Sequence, residues 1–97
     1  MIPFKRMWED TSEMILKDEV KDVLITEKYK GGFVVEEEGT TEFINKEDFV
    51  DFWCKLLCFE EFSKEEAIKQ GKLKYVYEII KNLPYVNESS NVLRLVD

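Results

Sequence analysis

The side chains whose types and spacing could do chemistry fall into four groups. They are the cysteines Cys54 and Cys58, the set Asp10, Glu19 and Lys21, the consecutive glutamates Glu36, Glu37 and Glu38, and the lysines between Lys64 and Lys81. No histidine accompanies them. Histidine is the one side chain whose ordinary pKa lets it exchange protons near neutrality. Its absence closes Ser-His-Asp and Cys-His nucleophilic catalysis within one chain, and it removes the ligand shared by common catalytic zinc sites.

Each group has a limit. Cys54 and Cys58 stand four residues apart in a segment with helical periodicity, so they offer two soft ligands on adjacent turns. Two sulfurs are half of a tetrahedral site, and the chain holds no second pair. Helical spacing also aims the two Cβ atoms poorly for a disulfide, so reduced thiols are expected. Asp10 with Glu19-Val20-Lys21 has the residue types of a D...ExK magnesium site, the basis of a metal-dependent nuclease reading. Asp10, however, falls inside a predicted helix. The three glutamates cannot converge on one cation if they lie on a strand, because neighbours there point to opposite faces. They are read first as a solvated strand end that resists edge-to-edge pairing, and as the candidate acidic surface for a partner.

The elements that must position these groups follow from periodicity. Pro3 to about Lys17 is predicted as a helix with Phe4, Met7, Trp8, Met14 and Ile15 on one side. Val23 to Thr26 and Phe33 to Val35 read as strands around Lys30-Gly31-Gly32, and Thr40 to Ile44 as a third strand after a turn at Gly39. Asn45 caps a helix to Leu57, in which Phe49, Phe52, Trp53, Leu56 and Leu57 keep the i, i+3, i+4, i+7, i+8 pattern of a core-facing stripe. Phe59 to Phe62 is a connection. Ser63 then opens a short helix, Lys64 to Gln70, in a capping-box pattern with Glu66, and Gly71 stops it. A last helix is expected over Lys72 to Leu83, ended by Pro84, with Lys74, Glu78, Lys81 and Asn82 opposite its apolar face and Tyr75 at the edge. Asn87 to Asn91 reads as a polar turn and Val92 to Val96 as a closing strand.

Residues 63–82 resemble the helix-turn-helix pattern of bacterial and phage regulators. Ala67 stands where the two helices cross, Gly71 in the turn four residues on, and Ile80 as the apolar anchor nine residues later. With the preceding helix and the Val92 strand, the order resembles a winged helix. The resemblance implies that the second helix of the pair lies in a DNA major groove. Lys74, Tyr75, Glu78, Lys81 and Asn82 would face the DNA, and Lys69 and Lys72 would contact phosphates. The departures are Gln70 and Lys72 beside the glycine and the lack of arginine on that face.

Charge weighs against phosphate. The 97 residues hold 21 acids and 14 bases, a net charge of -7, and 44% are hydrophobic. Residues 1–48 hold 13 acids against 7 bases, while residues 62–83 hold five lysines against three glutamates. The whole-chain field repels a polyanion even where the local patch attracts it. Lysine outnumbers arginine 12 to 2, a bias that fits an AT-rich bacterial or phage genome.

The expectation is one α+β domain over residues 1–97, with an N-terminal helix, a short antiparallel meander, three helices and a closing strand, in a winged-helix-like variant. It is expected to be cytoplasmic, since no apolar run is long enough to span a membrane and Met1 to Asp10 lacks the apolar core of a signal peptide. The function expected is that of a small acidic, non-catalytic regulatory domain with no cofactor. Its partner would be a basic protein, at Glu36, Glu37 and Glu38, or a second copy of the chain. DNA is the alternative partner, and a metal-dependent nuclease the third reading.

Overall fold

The apolar stripe of residues 46–59 builds the centre of the molecule. The computed structural model describes residues 2–96; Met1 and Asp97, the ends of the single unit expected, lie outside the described residues. Helix α2 spans Lys46–Phe59 and buries Phe49, Phe52, Trp53 and Leu56, all on the stripe read from the sequence. Its start is fixed by a reciprocal cap: the Asn45 side chain accepts from the Asp48 amide at 3.0 Å, and the Asp48 carboxylate accepts from the Asn45 amide at 2.9 Å.

Helix α1, Phe4–Leu16, lays Met7, Met14 and Ile15 onto this core. Trp8 is half-buried against Phe33 and Phe49, with ring centroids 5.6 and 5.2 Å away. The helix ends with Asp18 at a φ of 54°, where the Asp18 amide donates to Ile15 and the Glu19 amide to Met14. That paired closure turns the chain back sharply and starts the arm of residues 18–23.

Strands β1 (Leu24–Tyr29), β2 (Gly32–Glu37) and β3 (Thr40–Asn45) form an antiparallel meander in that order. Phe33, Val35 and Ile44 point inward and are buried. The outer face leaves Leu24, Tyr29 and Phe43 exposed. Gly32 is required by a close approach: a Cβ there would meet the Ile44 carbonyl oxygen and the Phe43 ring tip. The turn to β3 uses Glu38 and Gly39, both at positive φ, as a two-residue hairpin of the strand twist demands.

After α2 come β4 (Phe62–Ser63), α3 (Lys64–Lys69), α4 (Leu73–Ile80), β5 (Val86–Ser89) and β6 (Val92–Leu95). The second sheet has the order β4-β6-β5. The chain from α2 onward thus runs helix, short strand, helix, helix and hairpin. Phe62 stacks on Phe52 at 4.3 Å and ties this sheet to α2.

Several boundaries differ from the sequence reading, each for a physical reason. Of the connection read over Phe59 to Phe62, Phe59 ends α2 and Phe62 belongs to a strand, because Phe62 and the cap residue Ser63 pair with Leu93 and Val92 far along the chain. Residues 86–89 pair with β6, and only Ser90 and Asn91, at φ of 53° and 60°, make the turn. Helix α4 is shorter than Lys72 to Leu83, since its last turn tightens, with the Asn82 and Leu83 amides reaching back three residues. Ser63 accepts from the Glu66 amide, but the Glu66 carboxylate bonds the Gln70 side chain, so the box there is only half formed.

Candidate functional site

Helix α4 has the sequence LKYVYEII, and six of its eight residues are buried: Leu73, Tyr75, Val76, Tyr77, Ile79 and Ile80. β-branched and aromatic residues favour a helix weakly, so packing on all sides and not intrinsic propensity holds it. The face that the sequence pattern left for solvent is therefore partly covered, and three parts of the molecule hold the helix in place.

The first is the arm. Its closure at Asp18 directs Val20 inward, where it is buried, and brings Asp22 to 3.3 Å from Lys81. Lys81 also pairs with Glu78 one turn earlier, and this hydrogen bond holds its ammonium above the usual lysine range. The second is the end of β2. Glu37 accepts hydrogen bonds from Lys74 and from the Tyr75 hydroxyl, both at 3.2 Å, which together lower its carboxyl below the ordinary 4.5. Lys74 lies over the Tyr75 ring at 4.9 Å from its centroid. The third is β5, from which Glu88 accepts the Tyr77 hydroxyl at 2.6 Å. Burial, and then that hydrogen bond, drive the Tyr77 phenol well above its ordinary value.

Between the arm and α3, with α4 as the floor, an open trough of about 700 Å³ remains. Val20, Val23, Leu24, Ala67, Ile68 and the Tyr75 and Tyr77 rings give it an apolar lining. Five carboxylates, of Asp18, Asp22, Glu36, Glu37 and Glu78, share it with three lysines, Lys21, Lys64 and Lys74. Two of those lysines are neutralised, Lys74 by Glu37 at 3.2 Å and Lys64 by Glu78 at 3.4 Å. Those pairs use up Glu37 and Glu78 as well, so the acidic surplus of the lining is Asp18, Asp22 and Glu36 against Lys21, with Asp18 and Asp22 also paired to Lys28 and Lys81 beyond it.

The residues singled out in the sequence separate on this map. Lys74 and Tyr75 come together on the trough, and Lys81 braces its end; Tyr75 is buried and not at an exposed edge. Lys69 points away and pairs with Glu65 at 3.4 Å. Lys72 starts α4 and Asn82 follows it, the latter donating to the Glu78 carbonyl at 2.8 Å. Glu36 and Glu37 line the trough, whereas Glu38 sits exposed in the hairpin turn. Asp18, Asp22, Leu24 and Ile68 were not selected from the sequence. The exposed apolar pair Leu24 and Ile68 interrupts otherwise regular patterns and was the available signal.

The remaining chemical groups lie apart. Asp10 accepts the Tyr85 hydroxyl at 2.7 Å and shares a shallow surface pocket with Glu19, whereas Lys21 lines the trough. Lys21 donates to the Asp18 carbonyl. Cys54 and Cys58 are free thiols on the exposed side of α2. Among the described residues no three His, Cys, Asp or Glu side chains gather as a metal site, and no helix is long and apolar enough to cross a membrane. No family model, curated protein or solved structure matches the chain.

Proposed function

We propose that this chain is a small acidic, non-catalytic interaction domain of regulatory type, which binds a basic protein partner on the side of the arm and the β2 end. The observation that carries this reading is the state of α4. Lys64, Lys69, Lys74 and Lys81, four of the five lysines between residues 62 and 83, each lie within 4 Å of a carboxylate, so most of the lysine cluster is compensated from inside the molecule. What is left to attract a partner over long range is the acidic surplus.

Winged-helix-like DNA binding is the second reading, favoured by the order of elements from α2 to β6. It would require α4 to approach a duplex, yet every residue of α4 is buried or half-buried and walled by carboxylates. A pull-down from the native host with and without nuclease separates the two. The expected result is a partner protein that survives nuclease and weakens when Asp22 and Glu36 are changed to lysine. Capture that vanishes with nuclease, together with salt-sensitive binding of duplex DNA by the purified chain, would overturn the proposal.

A further inference from the structure

Two of the large apolar side chains that the fold leaves most open to solvent stand on the same trough. Leu24 is 59% exposed at the start of β1, and Ile68 is 56% exposed on α3. Neither position is forced by packing: a polar side chain would serve the fold equally at either, and isolated exposed apolar residues need no explanation. Their meeting across one concave surface, floored by tyrosine rings, is a different matter, because concavity and apolar lining together are what a buried anchor requires.

The charge around them selects the occupant. Asp18 is exposed on its rim and only loosely tied, to Lys28 at 3.4 Å, and Asp22 shares its partner Lys81 with Glu78. Glu36 lies opposite Leu24 in the β1–β2 ladder, on the same face. An anionic or phosphate-bearing ligand would meet these carboxylates at close range. A purely polar cation would leave Leu24 and Ile68 uncovered.

We infer that the trough docks a short segment of the partner protein that sets an apolar side chain between Leu24 and Ile68 and lysine or arginine side chains against Asp18, Asp22 and Glu36. This rests on the basic-partner reading above and adds the place and the chemistry of the contact. The apolar anchor supplies affinity by leaving water, and the flanking charges supply orientation and rate of encounter.

The test is a titration of the isotope-labelled chain with three synthetic peptides of equal length, followed by NMR amide shifts. One alternates lysine with leucine, the second replaces leucine by serine, and the third replaces lysine by glutamate. The lysine–leucine peptide should shift amides of residues 20–24, 64–68 and 74–78, and the lysine–serine peptide should bind about tenfold more weakly. The glutamate–leucine peptide should not bind. Ile68→Asp and Leu24→Asp, both at exposed positions, should each weaken the lysine–leucine peptide about tenfold while leaving the thermal midpoint unchanged. Equal binding of the two lysine peptides, shifts elsewhere on the surface, or full binding by both variants would overturn the trough as the site. Equal binding of the lysine peptides would still leave the basic-partner reading standing. Failure of every lysine peptide would remove both.

Discussion

Helix α4 is gripped from two sides by the same pair of groups, a tyrosine hydroxyl donating to a glutamate, and the two grips differ in depth. On the hairpin side the Tyr77 ring is fully buried and its hydroxyl meets Glu88 at 2.6 Å. On the trough side the Tyr75 hydroxyl meets Glu37 at 3.2 Å, and Glu37 is shared with Lys74. Burial raises both phenols, but Lys74 beside Tyr75 pulls that one the other way. The Tyr77 ring is fixed in the core although its acceptor Glu88 is exposed on β5, so that grip belongs to the architecture. The outer grip sits where water, or a ligand, can replace either partner, so the same chemistry can be structural on one side of a helix and available for binding on the other.

The sharpest way to break this comparison is to remove each ring. Tyr77 packs edge-on against Phe52 at 6.3 Å, and Tyr77→Ala should destabilise the fold by about 3–5 kcal/mol, as expected for deleting a buried aromatic ring. Tyr75→Ala should lose clearly less, because one side of its ring faces the trough and Lys74. Urea unfolding followed by tryptophan fluorescence measures both. Equal losses would mean that the trough side is as much a core as the hairpin side.

The next effect is on alkaline stability. Tyr77 and Tyr85 are both held above their ordinary value of 10.0, burial first and their carboxylate hydrogen bonds second. A phenol raised in the folded state keeps its proton after the unfolded chain has released it. Its contribution is therefore full below about pH 10 and declines as pH rises toward the folded value. Stability should fall progressively above pH 10, and Tyr77→Phe and Tyr85→Phe should each flatten that fall. Tyr75→Phe should flatten it less. A steeper fall in the Tyr77→Phe chain would contradict the assignment.

How much of this was legible beforehand depends on whether a feature is local. The stripe Phe49, Phe52, Trp53 and Leu56 is a periodic pattern within one element, and it placed α2 correctly. The meander was readable because Gly39 and the β-branched runs carry their own turn and strand signals. By contrast, Phe62–Ser63 is a strand only because Leu93 and Val92 arrive beside it. Residues 86–89 were obscured by polar side chains at three of four positions, since β5 exposes Asn87, Glu88 and Ser89. The least legible part is the surroundings of Tyr75 and its neighbours. Periodicity divides a helix into an apolar and a polar side, but it does not say what packs on the polar side. Glu78 and Lys81 are polar because they face other charges, Lys64 and Asp22, more than water, while Lys74 faces both Glu37 and solvent. The arm that covers them has no period at all, and its course is set by the backbone closure at Asp18.

The smallest expected effect on stability is at Glu37, and it is the one that most sharpens the contrast. Hydrogen bonds from Lys74 and then Tyr75 lower the Glu37 carboxyl below 4.5. A lowered carboxyl contributes stability that is present above pH 4.5 and is lost as pH falls through the folded value. Glu37→Gln should therefore soften the acid-side decline and lower the urea midpoint at pH 7 by the same small amount, since the pair is solvent-exposed and screened. Binding should respond in the opposite proportion. Neutralising Glu37 releases the Lys74 charge into the trough, so the same substitution should weaken a basic segment and its effect should shrink as salt rises. A neutral-pH stability loss as large as that of Tyr77→Ala would place Glu37 with Glu88 as a fixed part of the frame, and the outer grip would then have nothing to exchange.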